Sequence, residues 1–180
     1  AFEAQSNIYE MFNQSIKINN LNNIELYHNA VSDKNDEIIK IDLPDYSKHN
    51  NFGGLELFKP FQNSDNAQMQ KSGIFEDVKT IKLDIFNEEV DFIKIDAQGH
   101  GYSILKGCEK TIQNTIGLEA EIEFIELYEN QPLFSQINTF LIDHGFELFD
   151  LKRYFWNRTE TKSYGAGQKG QLTMGDALYF

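Results

Sequence analysis

Val90-Asp91-Phe92-Ile93-Lys94-Ile95-Asp96-Ala97-Gln98-Gly99-His100-Gly101-Tyr102-Ser103-Ile104-Leu105-Lys106-Gly107 begins as an apolar run, breaks at a polar, glycine-bearing turn, and resumes with apolar residues at helical spacing. The change of period predicts strand, loop and helix. Phe92, Ile93 and Ile95 suit a strand covered by helices, while Ile104, Leu105, Cys108 and Ile112 share one face of a helix over residues 101–114. Ligands of open parallel sheets bind just beyond the carboxyl ends of the strands, so Asp96, Gln98 and His100 stand where chemistry is expected.

Upstream, Ser6 is positioned to cap a helix whose stripe is Ile8, Met11, Phe12 and Ile16, and asparagines at 19, 20, 22 and 23 stop it. A strand is expected over 24–30, a turn at Asp33-Lys34-Asn35-Asp36, and another strand over 37–43. Residues 44–77 carry Asn50-Asn51, Gly53-Gly54 and Lys59-Pro60 and read as a long loop, either a surface insertion or a lid over a substrate. Val78 to Ile85 reads as a strand or edge segment.

Downstream, within Ile116 to Tyr128, Leu118, Ala120, Ile122 and Phe124 alternate with Glu119, Glu121, Glu123 and Glu126, which predicts a strand with a solvated acidic face. Asn130 and Pro132 open a helix with Leu133, Phe134, Ile137, Phe140 and Leu141 on its buried face, and Gly145 closes it. Residues 146–151 and 172–180 are expected to pair as a terminal hairpin around a Gly165 to Gly170 loop. The whole, residues 1–180, reads as a single α/β domain with a mainly parallel sheet closed by a C-terminal antiparallel element.

Composition narrows the function classes. A formal net charge of -12 and the lack of a basic cluster argue against nucleic acid and anionic membrane as partners. No run of about 18 apolar residues stands ready to span a bilayer. A lone cysteine, Cys108, excludes an internal disulfide and a cysteine-based zinc site, and its helical face favours packing. The default compartment is the cytoplasm, and oligomeric state is not legible. The 165–170 loop lacks a phosphate-loop Gly-Lys-Ser/Thr ending, and no Gly-x-Ser-x-Gly element points to a hydrolase.

The segment Asp91-Phe92-Ile93-Lys94-Ile95-Asp96-Ala97-Gln98-Gly99, followed by Ile104-Leu105-Lys106-Gly107, resembles the central element of the FkbM-type methyltransferase family. Glu121 to Tyr128, Gln131-Pro132-Leu133-Phe134, Gly145-Phe146-Glu147-Leu148 and the closing Asp176-Ala177-Leu178 are similar to later segments of that family. The resemblance implies a Rossmann-like class I methyltransferase sheet of strand order 3-2-1-4-5-7-6, S-adenosylmethionine as cofactor, and a hydroxyl of a small molecule or carbohydrate as acceptor. It also implies that the first strand and glycine turn of such a sheet precede Ala1, with Phe2-Glu3 at the end of the second strand.

On that resemblance Glu3 accepts hydrogen bonds from ribose hydroxyls, and Asn29 and Ala30 hold adenine. Asp96 and Gln98 are counted with the cofactor-binding residues, Asp96 beside the methionine end of the cofactor or the acceptor hydroxyl, and Gln98 orienting a substrate or the loop. Asp96, His100 and Glu121 are the candidate catalytic groups, His100 as a base because imidazole titrates near neutrality. Asp96, His100 and Glu121 also carry donors that suit a divalent ion, but no metal is assigned. Gly101 departs from the family pattern, where Glu is common. The rival reading is therefore a non-catalytic binding module on a degenerate methyltransferase scaffold; a nicotinamide-dependent reductase, in which Glu3 would bind the ribose of the other cofactor, is a weaker third reading.

Overall fold

The structure, a computed structural model, describes residues 1–44, 71–128, 130–156 and 170–180. In chain order these form α1 (Ser6–Ile18), β1 (Ala30–Val31), β2 (Ile38–Pro44), β3 (Lys71–Ile81), β4 (Phe92–Ile95), α2 (Gly101–Lys106), β5 (Gly117–Glu123), α3 (Phe134–Asp143), β6 (Leu148–Trp156) and β7 (Gln171–Tyr179). Short 3₁₀ turns occupy Leu83–Ile85 and Thr111–Asn114. The result is mixed α/β, with one three-stranded sheet ordered β1-β3-β2 and one four-stranded sheet ordered β4-β5-β7-β6.

The expected single, mainly parallel sheet is replaced by two sheets of mixed direction. β4 runs parallel to β5 and β1 parallel to β3, whereas β2/β3, β5/β7 and β6/β7 are antiparallel. The physical reason lies in the connections. A helix carries the chain from β4 to β5 and permits parallel pairing, while β6 and β7 close as the expected hairpin-like pair. The residues 165–170 assigned to the connecting loop lie outside the described residues.

One core dominates. Ile93 and Ile95 of β4, Leu118, Ala120 and Ile122 of β5, and Ala177 and Tyr179 of β7 pack against Ile104, Leu105, Cys108 and Ile112 and against Ile137 and Leu141 of α3. The period-2 and helical patterns read from the sequence thus converge on a single face of the four-stranded sheet. Cys108 is fully buried, and burial pushes its thiol up to about 12, as befits a packing residue.

Several local expectations change. The helix predicted over 101–114 breaks after Lys106. Gly107 backs onto the Ser32 carbonyl so closely that a Cβ would overlap it, and the chain restarts at Thr111 under a cap from Asp84. Val78 to Ile85 splits: β3 begins already at Lys71 and ends at Ile81, taking residues 71–77 out of the expected loop, and Leu83–Ile85 is a 3₁₀ turn. The rest of that loop, 45–70, lies outside the described residues. The strand expected over 24–30 reduces to a parallel bridge between Phe2 and Tyr27 and the two-residue β1.

Helix α1 forms as predicted but buries none of its residues, and Met11 is 57% exposed. Ser6 does not cap it. The cap position is Gln5, whose N–H donates to Glu3 Oε1 at 2.8 Å, and the Ser6 N–H donates to the Glu76 carboxylate of β3 at 3.1 and 3.2 Å. Two carboxylates at the amino end satisfy orphan donors and oppose the helix dipole better than a single hydroxyl.

Candidate functional site

A cleft of about 1080 Å³ lies along the edge strand β4 and reaches to residues 1–5 and to the end of β1. Among its lining residues are Glu3, Asn29, Ala30, Asp96, Gln98 and His100. Six of the seven residues singled out in the sequence, drawn from three distant segments, therefore meet at one hollow. The seventh, Glu121, does not line the cleft; it stands behind Gln98, whose Nε2 donates to Glu121 Oε2 at 3.2 Å.

The turn after β4 determines how these groups are presented. Asp96 follows the strand and is exposed. Gln98 adopts φ +40° and Gly99 φ +80°, left-handed conformations that reverse the chain within two residues. At Gly99 the conformation is also a packing requirement: a Cβ there would sit 2.6 Å from Cδ2 of Tyr128 and 3.1 Å from Nε2 of Gln131. The chain then enters α2 at His100, whose N–H donates to the Ala97 carbonyl at 2.9 Å.

Each group has a distinct environment. Asn29 Nδ2 donates to the Lys79 carbonyl at 3.2 Å, and Ala30 is buried beside Thr80 in the β1/β3 register. His100 Nε2 lies 3.2 Å from Ser32 Oγ. Burial holds its imidazole below the usual histidine range; Asp33 works against that shift and Lys106 with it. Glu121 goes the other way. Burial first, then the charges of Asp96 and Asp176, push its carboxyl up to about 7, against the smaller pull of Gln98 and Lys94. Its strand neighbour Glu123, 1% exposed, is also pushed up to about 7 by burial and by Glu121.

Glu123 corrects the expected solvated acidic face of β5: the strand's last acid is enclosed beside Gln131, whose Oε1 accepts from the N–H groups of Leu127 and Tyr128 at 2.7 and 2.9 Å. Among the described residues no three His, Cys, Asp or Glu side chains converge as metal ligands.

Groups the sequence reading passed over also belong to the site. Ser32 meets His100, Tyr128 meets Gln98 through its hydroxyl at 3.2 Å, and an Asp33–Lys106 ion pair at 2.8 Å flanks the histidine. Ser32 and Asp33 directly follow Ala30-Val31, so the end of that strand was the available signal. Tyr128 had none, because only the fold brings it over Gly99. At the far end of the cleft Phe2, Tyr27 and Phe86 pack on one another, with ring centroids 4.9 to 5.6 Å apart.

A comparison with protein families finds that residues 1–148 match the methyltransferase FkbM domain. No curated protein and no solved structure matches the chain. No helix among the described residues is long and apolar enough to cross a membrane.

Proposed function

We propose that this chain, which belongs to the methyltransferase FkbM domain family, transfers a methyl group from S-adenosylmethionine to a hydroxyl of a small metabolite or sugar. The observation that carries the reading is the meeting, in one cleft, of Glu3, Asn29 and Ala30 with Asp96 and Gln98. The strand order β4-β5-β7-β6 supports a Rossmann-like sheet, being the second half of the order such methyltransferases use.

The residues present fit the cofactor. A carboxylate at Glu3 accepts from paired ribose hydroxyls, a polar side chain at Asn29 beside buried Ala30 suits a flat heteroaromatic ring, and exposed Asp96 suits the ammonium of the methionine portion. When bound, S-adenosylmethionine supplies a methyl carbon already activated by its sulfonium. What remains for the protein is alignment of the acceptor oxygen and removal of its proton.

The second task falls to the acids. Asp96, exposed in the cleft, is placed to take that proton, while Glu121 stands behind the cleft and holds the Gln98 carboxamide that lines it. Asp96 lines the cleft itself and orients the acceptor hydroxyl. His100, with Nε2 directed at Ser32 and its ring kept neutral by burial, serves in this reading to tie the start of α2 to the end of β1. The reaction is assigned to the cytoplasm, with a small-molecule or carbohydrate acceptor and no nucleic acid or membrane partner.

Isothermal titration of the folded protein with S-adenosylmethionine tests the cofactor, and mass spectrometry of hydroxyl acceptors incubated with it tests the transfer. Saturable heat that weakens in Glu3→Ala, together with methylated product, is the expected result. Binding with no product from any hydroxyl acceptor favours the non-catalytic binding module, and no binding overturns the reading.

A further inference from the structure

We infer that Tyr128 is a positioning residue: its hydroxyl fixes the carboxamide of Gln98, and through it the hydrogen bond that Gln98 makes to Glu121. The inference rests on the role given above to Glu121, but its test reads the carboxyl itself.

The geometry leaves the carboxamide one orientation. The Tyr128 hydroxyl donates to Gln98 Oε1 at 3.2 Å, which turns Nε2 to the opposite side, where Glu121 Oε2 accepts at 3.2 Å. Rotated half a turn, the amide would present its nitrogen to a hydroxyl and its oxygen to a carboxylate, losing the bond to Glu121. A carboxamide held only by its backbone has little reason to choose. Tyr128 supplies that choice.

Tyr128 is itself firmly mounted. It is buried, its N–H and that of Leu127 are held by Gln131 Oε1, and its ring fills the space that a side chain at residue 99 would occupy. The left-handed turn at Gln98 and Gly99, the ring above it and the carboxylate behind it therefore form one unit. Charges around Glu121 make the unit consequential. Lys94 approaches from β4 and Asp96 from the turn that follows it, Asp176 from β7, and Glu123 lies on its own strand; Lys152 of β6 is engaged by Asp176 at 3.6 Å. Both cations are engaged elsewhere, Lys94 by Glu119 and Lys152 by Asp176, so against three acids the Glu121 carboxylate leans on the backbone and side-chain amides of Gln98.

Carbon-detected NMR of protein labelled with ¹³C at glutamate side chains measures the outcome, with Glu121→Gln identifying the resonance. Tyr128→Phe, which keeps the ring over Gly99, is expected to raise the Glu121 midpoint by about 0.4 to 1 pH unit, the range that one net hydrogen bond represents. Gln98→Ala is expected to raise it at least as far, and the double variant no further than Gln98→Ala alone. An unmoved midpoint in Tyr128→Phe, or additive shifts in the double variant, overturns the inference. A second measurement needs no substitution: the Tyr128 ring carbons and the Gln98 side-chain amide must titrate with the Glu121 midpoint, and a Tyr128 ring blind to it overturns the coupling. Failure to bind S-adenosylmethionine leaves these readouts unchanged, so the two ideas fail separately.

Discussion

Glu121 of β5 and Asp176 of β7 stand directly opposite each other in antiparallel register, so that two carboxylates share one face of the sheet. Like charges in that relation oppose folding, and here both members are partly buried as well. Burial is the first cause that pushes the Glu121 carboxyl up to about 7, and the charges of Asp96 and Asp176 add to it against the smaller pull of Gln98 and Lys94.

Stability is expected to fall between pH 5 and pH 8. For Glu121 and Glu123 the folded-state values of about 7 lie above the ordinary 4.5, so the folded protein binds their protons more tightly than the unfolded chain. Their favourable contribution is complete below about 4.5 and is lost as pH rises through about 7. Discounted for the solvent that reaches Glu121, the two together amount to roughly 1–3 kcal/mol. Denaturant midpoints at pH 5 and pH 8 measure it: the higher value belongs at pH 5, and Glu121→Gln with Glu123→Gln should remove most of the slope. A midpoint that rises toward pH 8 contradicts the assignment.

His100 behaves in the opposite sense. Its folded value is depressed below 6.5 by burial, so its contribution is present above 6.5 and is lost as pH falls through the lower folded value. Long-range ¹H–¹⁵N spectra should find a neutral ring at pH 7. Lys106→Met should move the midpoint upward, because it removes a cation that disfavours the imidazolium and frees Asp33, which favours it, from its ion pair. A downward movement would show that Lys106 acts on the ring by some other route.

Local period and strand-end chemistry made much of this legible. Ile93, Ile95, Leu118, Ala120 and Ile122 declared β4 and β5, and the polar turn between them put Asp96, Gln98 and His100 beside the cleft. What escaped depended on contacts between distant segments. Nothing around Tyr128 announces that its ring will seat over Gly99, 29 positions earlier, and nothing around Glu76 announces that it will cap α1 from β3. Glu123 looked like one more solvated acid because alternation reports which face a residue is on, not what later covers that face. The stripe of α1 misled in the opposite way: Met11 and Phe12 have helical spacing, yet the described fold encloses neither of them.

Glycines 99 and 73 separate backbone strain from packing. Both adopt left-handed φ, +80° and +73°, but a Cβ at 99 meets Tyr128 at 2.6 Å whereas one at 73 meets nothing within 4 Å. Gly73→Ala should therefore cost only the backbone term, about 1 kcal/mol, and leave the site intact. Gly99→Ala adds the displacement of a buried ring and should cost about 2–4 kcal/mol, with the Gln98 amide resonances perturbed. Equal losses in thermal or urea unfolding would mean that the Tyr128 ring yields freely.

Asp84 is expected to hold the break in the second helical segment. Its Oδ1 accepts from the Lys110 N–H at 3.1 Å, from the Thr111 N–H at 2.9 Å and from Thr111 Oγ1 at 2.9 Å, while its own N–H donates to the Gly107 carbonyl at 3.1 Å. These bonds satisfy both sides of the interruption between Lys106 and Thr111, which otherwise leaves helix-end donors and acceptors unpaired beside the core residues Cys108 and Ile112. Asp84→Ala should cost about 1–2 kcal/mol, the range of a lost helix cap, and Asp84→Asn distinctly less, because its Oδ1 still accepts. Urea unfolding gives the stabilities, and amide hydrogen exchange locates the effect: protection should drop at residues 110–112 and persist in β5. Loss of protection throughout β5 in Asp84→Ala would instead make this turn part of the sheet's own cooperative unit.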